Sequence, residues 1–269
     1  MTTPSVVPLP GPPPNDELEL LLRLGDDRLV LGHRLSEWCG HAPILEEDIA
    51  LANVALDLLG QARLLLARAA LVDPSVVPPS AQPPEDALAY FRPAGQFRNV
   101  LLVEGVDVDF ADAVVRLLLF SVHRLAVLER LTGSSDAVLA AVAAKGVKEV
   151  AYHRDHAARW VVTLARGTDE SRRRLLAALD RLWPLVPELT AAHPVQRRVA
   201  AAGAGVDPST VEGTVDAVLA EVFAAAGVRP PAAGPVGEGG GRDGRHTPAL
   251  GEMLAEMQEV ARAHPEGAW

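Results

Sequence analysis

Residues 25–66, GDDRLVLGHRLSEWCGHAPILEEDIALANVALDLLGQARLLL, join one helix through a tight connection to an almost wholly apolar second helix. At about 100° per residue, Glu46, Asn53, Asp57, Gln61 and Arg68 share a sector about 80° wide. Ile49, Ala52, Ala55, Leu56, Leu58, Leu59, Leu65 and Leu66 cover most of the remainder. A helix this apolar is expected at the centre of its fold. Its polar row poses the functional question. In a helical bundle such a row is a metal site, a buried hydrogen-bond network or a solvated face.

The bulk numbers agree with a helical reading. A chain of 269 residues with 49% hydrophobic content can bury a sizeable core. Aromatics are only 4% against abundant alanine and leucine, which suits helices packed through small and branched side chains better than sheets. The net charge of −10 argues against nucleic acid or an anionic membrane surface as main partner. A single cysteine, Cys39, excludes an internal disulfide framework and points to a reducing cytoplasm. The N-terminus lacks the basic and apolar regions of a signal peptide, and no uncharged apolar stretch of about 18 residues suggests a membrane span.

Residues 1–15 carry six prolines and read as an extended arm, followed by one helical domain over 16–269. The first helix starts near Asp16 and stops before Pro43, with possible disturbance at Gly25 or Gly32; the second runs to about Leu71. Six prolines break residues 73–99 into a crossover with a short helix near Glu85–Tyr90. Long helices then span about 107–131 and 135–165, with shorter ones over 168–188, from Asp207 and over 247–263. The helix from Asp207 has an aspartate cap, Pro208 and a Ser209–Glu212 capping box. The predicted class is all-α: a ferritin-like four-helix bundle with additional C-terminal helices.

A di-iron centre in such a bundle needs carboxylates plus Glu-x-x-His on two helices. No histidine here follows a glutamate by three; only Asp243 precedes a histidine, His246, at that spacing, and it lies in a glycine-rich segment. Asp57 is followed by Gly60 and Gln61, and Glu149 by Tyr152 and His153, so the motif fails on both helices that could carry it. The row Asn53, Asp57, Gln61, with Lys148, Glu149 and His153 as facing partners, is then either a hydrogen-bonded relic of a site or a partly solvated face. An atypical ligand set, Glu37, Asp57, His123, Glu149 and His153, is the enzyme-class rival. Cys39 with His41 and Glu37 reads as a buried thiol at a helix end rather than a nucleophile. Arg172–Arg174 and Arg197–Arg198 read as solvated surface, with an acyl-CoA site as the rival.

The segments LLRLGDDRLVLGHRLSEWCGHAPILEEDIALANVALDLLGQAR, FRNVLLVE, VKEVAYHRDHAARWVVTLARGT and GRDGRHTPALGEMLAEMQEVARAHPEGAW resemble the C subunits of the multicomponent ring 1,2-phenylacetyl-CoA epoxidases of bacterial phenylacetate degradation. The resemblance covers nearly all of the chain from Asp16 and implies a cytoplasmic ferritin-like subunit, structural rather than catalytic. It implies pairing with a homologous catalytic A subunit that carries the di-iron centre, and service by a reductase with FAD, an iron–sulfur cluster and NADPH. It carries no catalytic, cofactor or metal-binding residue onto this sequence.

Overall fold

The proline run at the N-terminus ends at Pro14, and the first helix, α1 (Pro14–Ser36), begins on it. A helix's first residue needs no intrahelical N–H bond and tolerates proline there. The computed structural model describes residues 14–232 and 240–267. The expected arm over 1–15 therefore lies outside the described residues except for Pro14 and Asn15, which belong to α1.

The chain continues through α2 (Leu45–Val72), α3 (Pro84–Tyr90), α4 (Phe110–Leu131) and α5 (Ala137–Arg166). Then come α6 (Asp169–Leu182), α7 (Pro187–Thr190), α8 (Pro194–Ala201), α9 (Glu212–Ala226) and α10 (Pro248–Ala263). The described residues contain no strand. The hairpin α1–α2 and the hairpin α4–α5 are joined by the long crossover that carries α3, and they meet where α2 faces α5. This is an all-α, ferritin-like bundle, with α6, α7, α8 and α9 laid against α4, α5 and α1, and α10 against α3 in the crossover.

Local chemistry sets the ends. Asp109 caps α4 by accepting from the Ala111 N–H, and Asp112 returns the bond to the Asp109 N–H. Asp136 caps α5 through the Val138 and Leu139 N–H groups. Gly227, at φ 65°, stops α9 in the left-handed conformation that favours glycine. The Ser209–Glu212 box does not form. Asp207 instead accepts from the Ser209 N–H and hydroxyl to hold a 3-10 turn over Pro208–Val211, and α9 starts only at Glu212. Helix α8 was not expected; its signal is His193–Pro194, where His193 Nδ1 accepts from the Val195 N–H.

Nor do Gly25 and Gly32 disturb α1, which runs through both. A Cβ at Gly25 would sit 3.0 Å from Leu66 Cδ2 and one at Gly32 2.9 Å from Leu59 Cγ, so they let α2 approach closely. The centre of the fold is α4, not α2. Every residue of α4 from Ala111 to Leu128 is buried, whereas α2 leaves Leu45, Ile49, Leu56 and Leu71 more than half exposed. By length and composition α2 could also cross a membrane, with 44% of its most apolar window buried in the bundle. Its apolarity thus serves two faces, one inside and one open.

Candidate functional site

The row on α2 does not lie on one side of the protein surface. Steps of four residues advance about 40° around a helix, so Asn53, Asp57 and Gln61 spiral from solvent into the core. Asn53 is exposed, the Asp57 side chain is 39% exposed and Gln61 is fully buried.

At the inner end Gln61 bridges two helices. Its Oε1 accepts from Arg28 Nε at 2.7 Å and its Nε2 donates to Glu149 Oε2 at 2.8 Å. Arg28 also donates to the Leu24 carbonyl oxygen and is wholly buried; burial, with Arg124 and Arg242 nearby, holds its pKa well below the usual arginine value. Glu149 completes the chain at Lys145, 3.0 Å away. Lys148, expected to face the row, is exposed. Lys145 lies four residues before Glu149, one turn back on the same side of α5, whereas Lys148 is its chain neighbour and points elsewhere.

At the outer end His153 Nε2 meets Asp57 Oδ2 at 3.0 Å. Burial pulls the His153 pKa down, against the opposing pull of Asp57, so the imidazole is neutral and donates Nε2–H to the carboxylate. A second imidazole–carboxylate pair, missed in the sequence, lies farther along the same seam: His156 Nε2 is 2.9 Å from Glu47 Oε2, and Tyr152 stacks on His156.

The five residues of the rival ligand set do not converge. Glu37 lies beyond the end of α1, paired with Arg34. Burial raises its pKa against the opposing Arg34 charge. His123 is on α4 amid Arg124, Arg242, Asp27 and Arg28, with both ring nitrogens lacking a protein partner; burial and these arginines lower its pKa to about 3. Among the described residues no three His, Cys, Asp or Glu side chains are grouped to hold a metal ion. Glu149 is engaged by an amide and a lysine, and a guanidinium binds the other side of that amide. A di-iron centre needs four carboxylates and two histidines around one cavity, and this donor set does not fit it.

A larger polar cluster was also missed. Asp26 and Asp27, side by side in the middle of α1, are fully buried. Asp26 is paired with Arg92 and accepts from the Arg98 N–H at 2.9 Å. Asp27 is paired with Arg124 and, at 2.8 Å, with Arg242, and accepts from the Val100 N–H. Burial pushes the Asp27 carboxyl up, but the Arg242 and Arg124 charges outweigh it and its pKa is lowered. Arg242 also donates to the carbonyl oxygens of Arg23 and Arg98. Beside it Glu104 accepts from Asn99, from the Thr247 N–H and hydroxyl, and from His246. His246 Nε2 faces the Phe97 carbonyl oxygen, so both ring nitrogens meet acceptors and the ring is an imidazolium. The signal was the GDD triplet inside an apolar helix: buried carboxylates require partners, and the arginines lie in FRPAGQ (Arg92), SVHRLAV (Arg124) and GRDGRHT (Arg242).

The other candidates resolve simply. Cys39 is exposed, not buried, because α1 ends at Ser36 and the thiol sits in the turn beyond it. Arg172 donates to the Ala165 and Gly227 carbonyl oxygens, Arg173 and Arg174 pair with Glu170, and Arg198 with Asp16. Arg197 is 3.7 Å from Asp207. Each of these cations has a partner in its own chain, and Arg173, Arg174, Arg197 and Arg198 lie on the solvated surface.

Comparison with known proteins matches residues 12–269 to the family described as phenylacetic acid catabolic protein. The chain is 42% identical over 252 residues to the C subunit of 1,2-phenylacetyl-CoA epoxidase from Escherichia coli (strain K12), an alignment covering 92% of this chain and 97% of that protein.

Proposed function

The chain belongs to the phenylacetic acid catabolic protein family, and from that premise we propose that it is a structural, non-catalytic subunit of a multicomponent oxygenase that epoxidises the aromatic ring of phenylacetyl-CoA. In this reading it holds a homologous A subunit that carries the di-iron centre, within a cytoplasmic assembly. A reductase with FAD, an iron–sulfur cluster and NADPH supplies the electrons. The observation that carries it is the filling of the bundle interior by the buried Arg28 and Gln61, which Glu149 ties outward to the exposed Lys145. A buried guanidinium supplies positive charge within that interior and leaves it packed, so the fold is kept while its chemistry is delegated.

Co-expression with a candidate A subunit, followed by size-exclusion chromatography, tests the reading. The two chains are expected to co-elute, and turnover of phenylacetyl-CoA is expected only with the partner present. Two iron atoms per chain in the isolated protein, kept through a chelator wash and lost on Asp57→Ala, would overturn it.

A further inference from the structure

We propose that the recess between the end of α1 and the middle of α10 binds a soft monovalent metal cation, of the copper(I) class, through the thioethers of Met253 and Met257 and the imidazole of His33. The assignment does not rest on the functional reading above. The recess has a volume of about 290 Å³ and is lined by His33, Ser36, Glu37, Met253, Glu256 and Met257. Each side contributes residues one turn apart. His33 and Glu37 come from α1 and the turn that continues it, where the Glu37 N–H still donates to the His33 carbonyl oxygen, and Met253 and Met257 come from α10. Arg34 fixes their approach by donating to the Ala249 carbonyl oxygen, at the start of α10, at 2.7 Å.

The donors select a soft ion. The whole chain has three methionines, and two of them meet here. Met253 is buried and fills space, as methionine usually does, whereas Met257 is only half-buried and opens onto the recess. His33 Nε2 is buried with no hydrogen-bond partner. Burial lowers the pKa of the ring to about 4, so at pH 7 the imidazole is neutral and can act as a ligand. Apolar packing alone leaves that nitrogen unpaired, at a cost that a bound ion removes. Charge selects a cation. The described residues that line the recess include two carboxylates, Glu37 and Glu256, and no lysine or arginine. Burial raises the Glu37 pKa against Arg34, and Asp107 and Glu256 add to the rise, so a positive charge entering beside these carboxylates is favoured. Hard cations take several oxygen ligands, and zinc takes thiolate, imidazole and carboxylate; among the described residues no three His, Cys, Asp or Glu side chains are grouped in that way. Two thioethers and a neutral nitrogen suit copper(I) instead. Helix α10 otherwise packs on α3 and the crossover, so the ion fastens it to α1.

Silver(I), a redox-inert analogue, is the probe. It is added in chloride-free buffer to the full-length chain carrying Cys39→Ser, because the exposed Cys39 thiol would itself take the ion. With carbon-13 in the methionine methyl groups, the Met253 and Met257 signals are expected to shift together and to stop at one ion per chain, with the Met1 signal unmoved at that point. The thermal midpoint is expected to rise with silver(I) concentration. In competition with a copper(I) chelator, Met257→Leu and His33→Gln are each expected to raise the dissociation constant about tenfold or more. His264→Gln, exposed past the end of α10, is expected to leave it unchanged. The methionine signals are read on the unsubstituted site, so that result stands whether or not a variant folds. Met253 and Met257 signals that stay in place at one ion per chain overturn the proposal. So does an affinity indifferent to both substitutions in folded variants, or zinc(II) that displaces silver(I) at equal concentration.

Discussion

In the middle of α1, Asp26 and Asp27 are fully buried and meet Arg92, Arg124 and Arg242, whereas on α2 Asn53, Asp57 and Gln61 climb from solvent to core, and only the neutral Gln61 amide, held between Arg28 and Glu149, is fully buried. Both are polar rows inside one apolar bundle, and the difference lies in what leaves water. Taking a carboxylate fully out of water costs several kcal/mol unless charge and hydrogen bonds replace the hydration, so the α1 pair had to recruit arginines. Those arginines come from the crossover, from α4 and from the segment before α10, which ties four distant stretches together. The α2 row keeps its carboxylate wet and buries only an amide. It joins α1, α2 and α5 through a neutral amide set between Arg28 and Glu149, so no carboxylate of the row has to be buried.

The largest expected effect follows from that contrast. Asp27→Ala leaves Arg124 and Arg242 buried without their shared counter-ion and is expected to lower the unfolding free energy by about 3–5 kcal/mol, read by urea denaturation. Asp27→Asn keeps an acceptor for the Val100 N–H and should lose less. If Asp27→Ala proved no costlier than Asp57→Ala, the distinction between the two regions would collapse.

These two regions were unequally legible in the sequence. The four long helices and the proline-broken crossover followed from periodicity and breakers, since both act within one turn. The polar row was visible as a row, but not its tilt: apolar residues on both sides of α2 concealed which side was open. Ile49 and Leu56 look like Leu58 and Leu65 in sequence, and only packing separates them. The Asp26–Asp27 cluster escaped because its partners, Arg92, Arg124 and Arg242, are separated from it by 66, 97 and 215 positions. Complementarity over such distances is settled by tertiary packing, and residue spacing carries no trace of it.

Acid sharpens the comparison next. His123 sits against the arginines with a folded pKa of about 3, below an unfolded value of about 6.5. Its contribution is fully present above the unfolded value and is lost as pH falls toward the folded one, by about 1.4 kcal/mol per pH unit. His123→Leu is expected to cost little near pH 7, since both ring nitrogens lack partners, and to flatten the loss of stability between about pH 6 and pH 4. An unchanged acid limb would remove His123 from the cluster's energetics.

A smaller effect of opposite sign belongs to His246. Burial lowers its pKa, but Glu104 and the Phe97 carbonyl oxygen outweigh that and the net direction is up. A raised folded pKa gives stability that is fully present below the unfolded value near 6.5 and is lost as pH rises through the folded one. His246→Gln is therefore expected to differ most from the parent at about pH 6 and to converge with it in mild alkali, in thermal melts across that range. A constant difference would mean that the ring serves by shape alone.

The smallest effect is expected at the wet end of the α2 row. Asp57 is 39% exposed and its partner His153 is neutral, so no full charge pair is at stake. In Asp57→Asn the new amide oxygen can still accept from His153 Nε2–H, and the change in unfolding free energy should stay below about 1 kcal/mol, as at exposed pairs. The same substitution also tests the neutral ring. Without the carboxylate, burial is opposed only by the weaker pull of Glu149, so the His153 pKa should fall further, which nitrogen-15 chemical shifts would follow. A rise would mean that Asp57 does not govern this imidazole and that the row is organised from the Glu149 end alone.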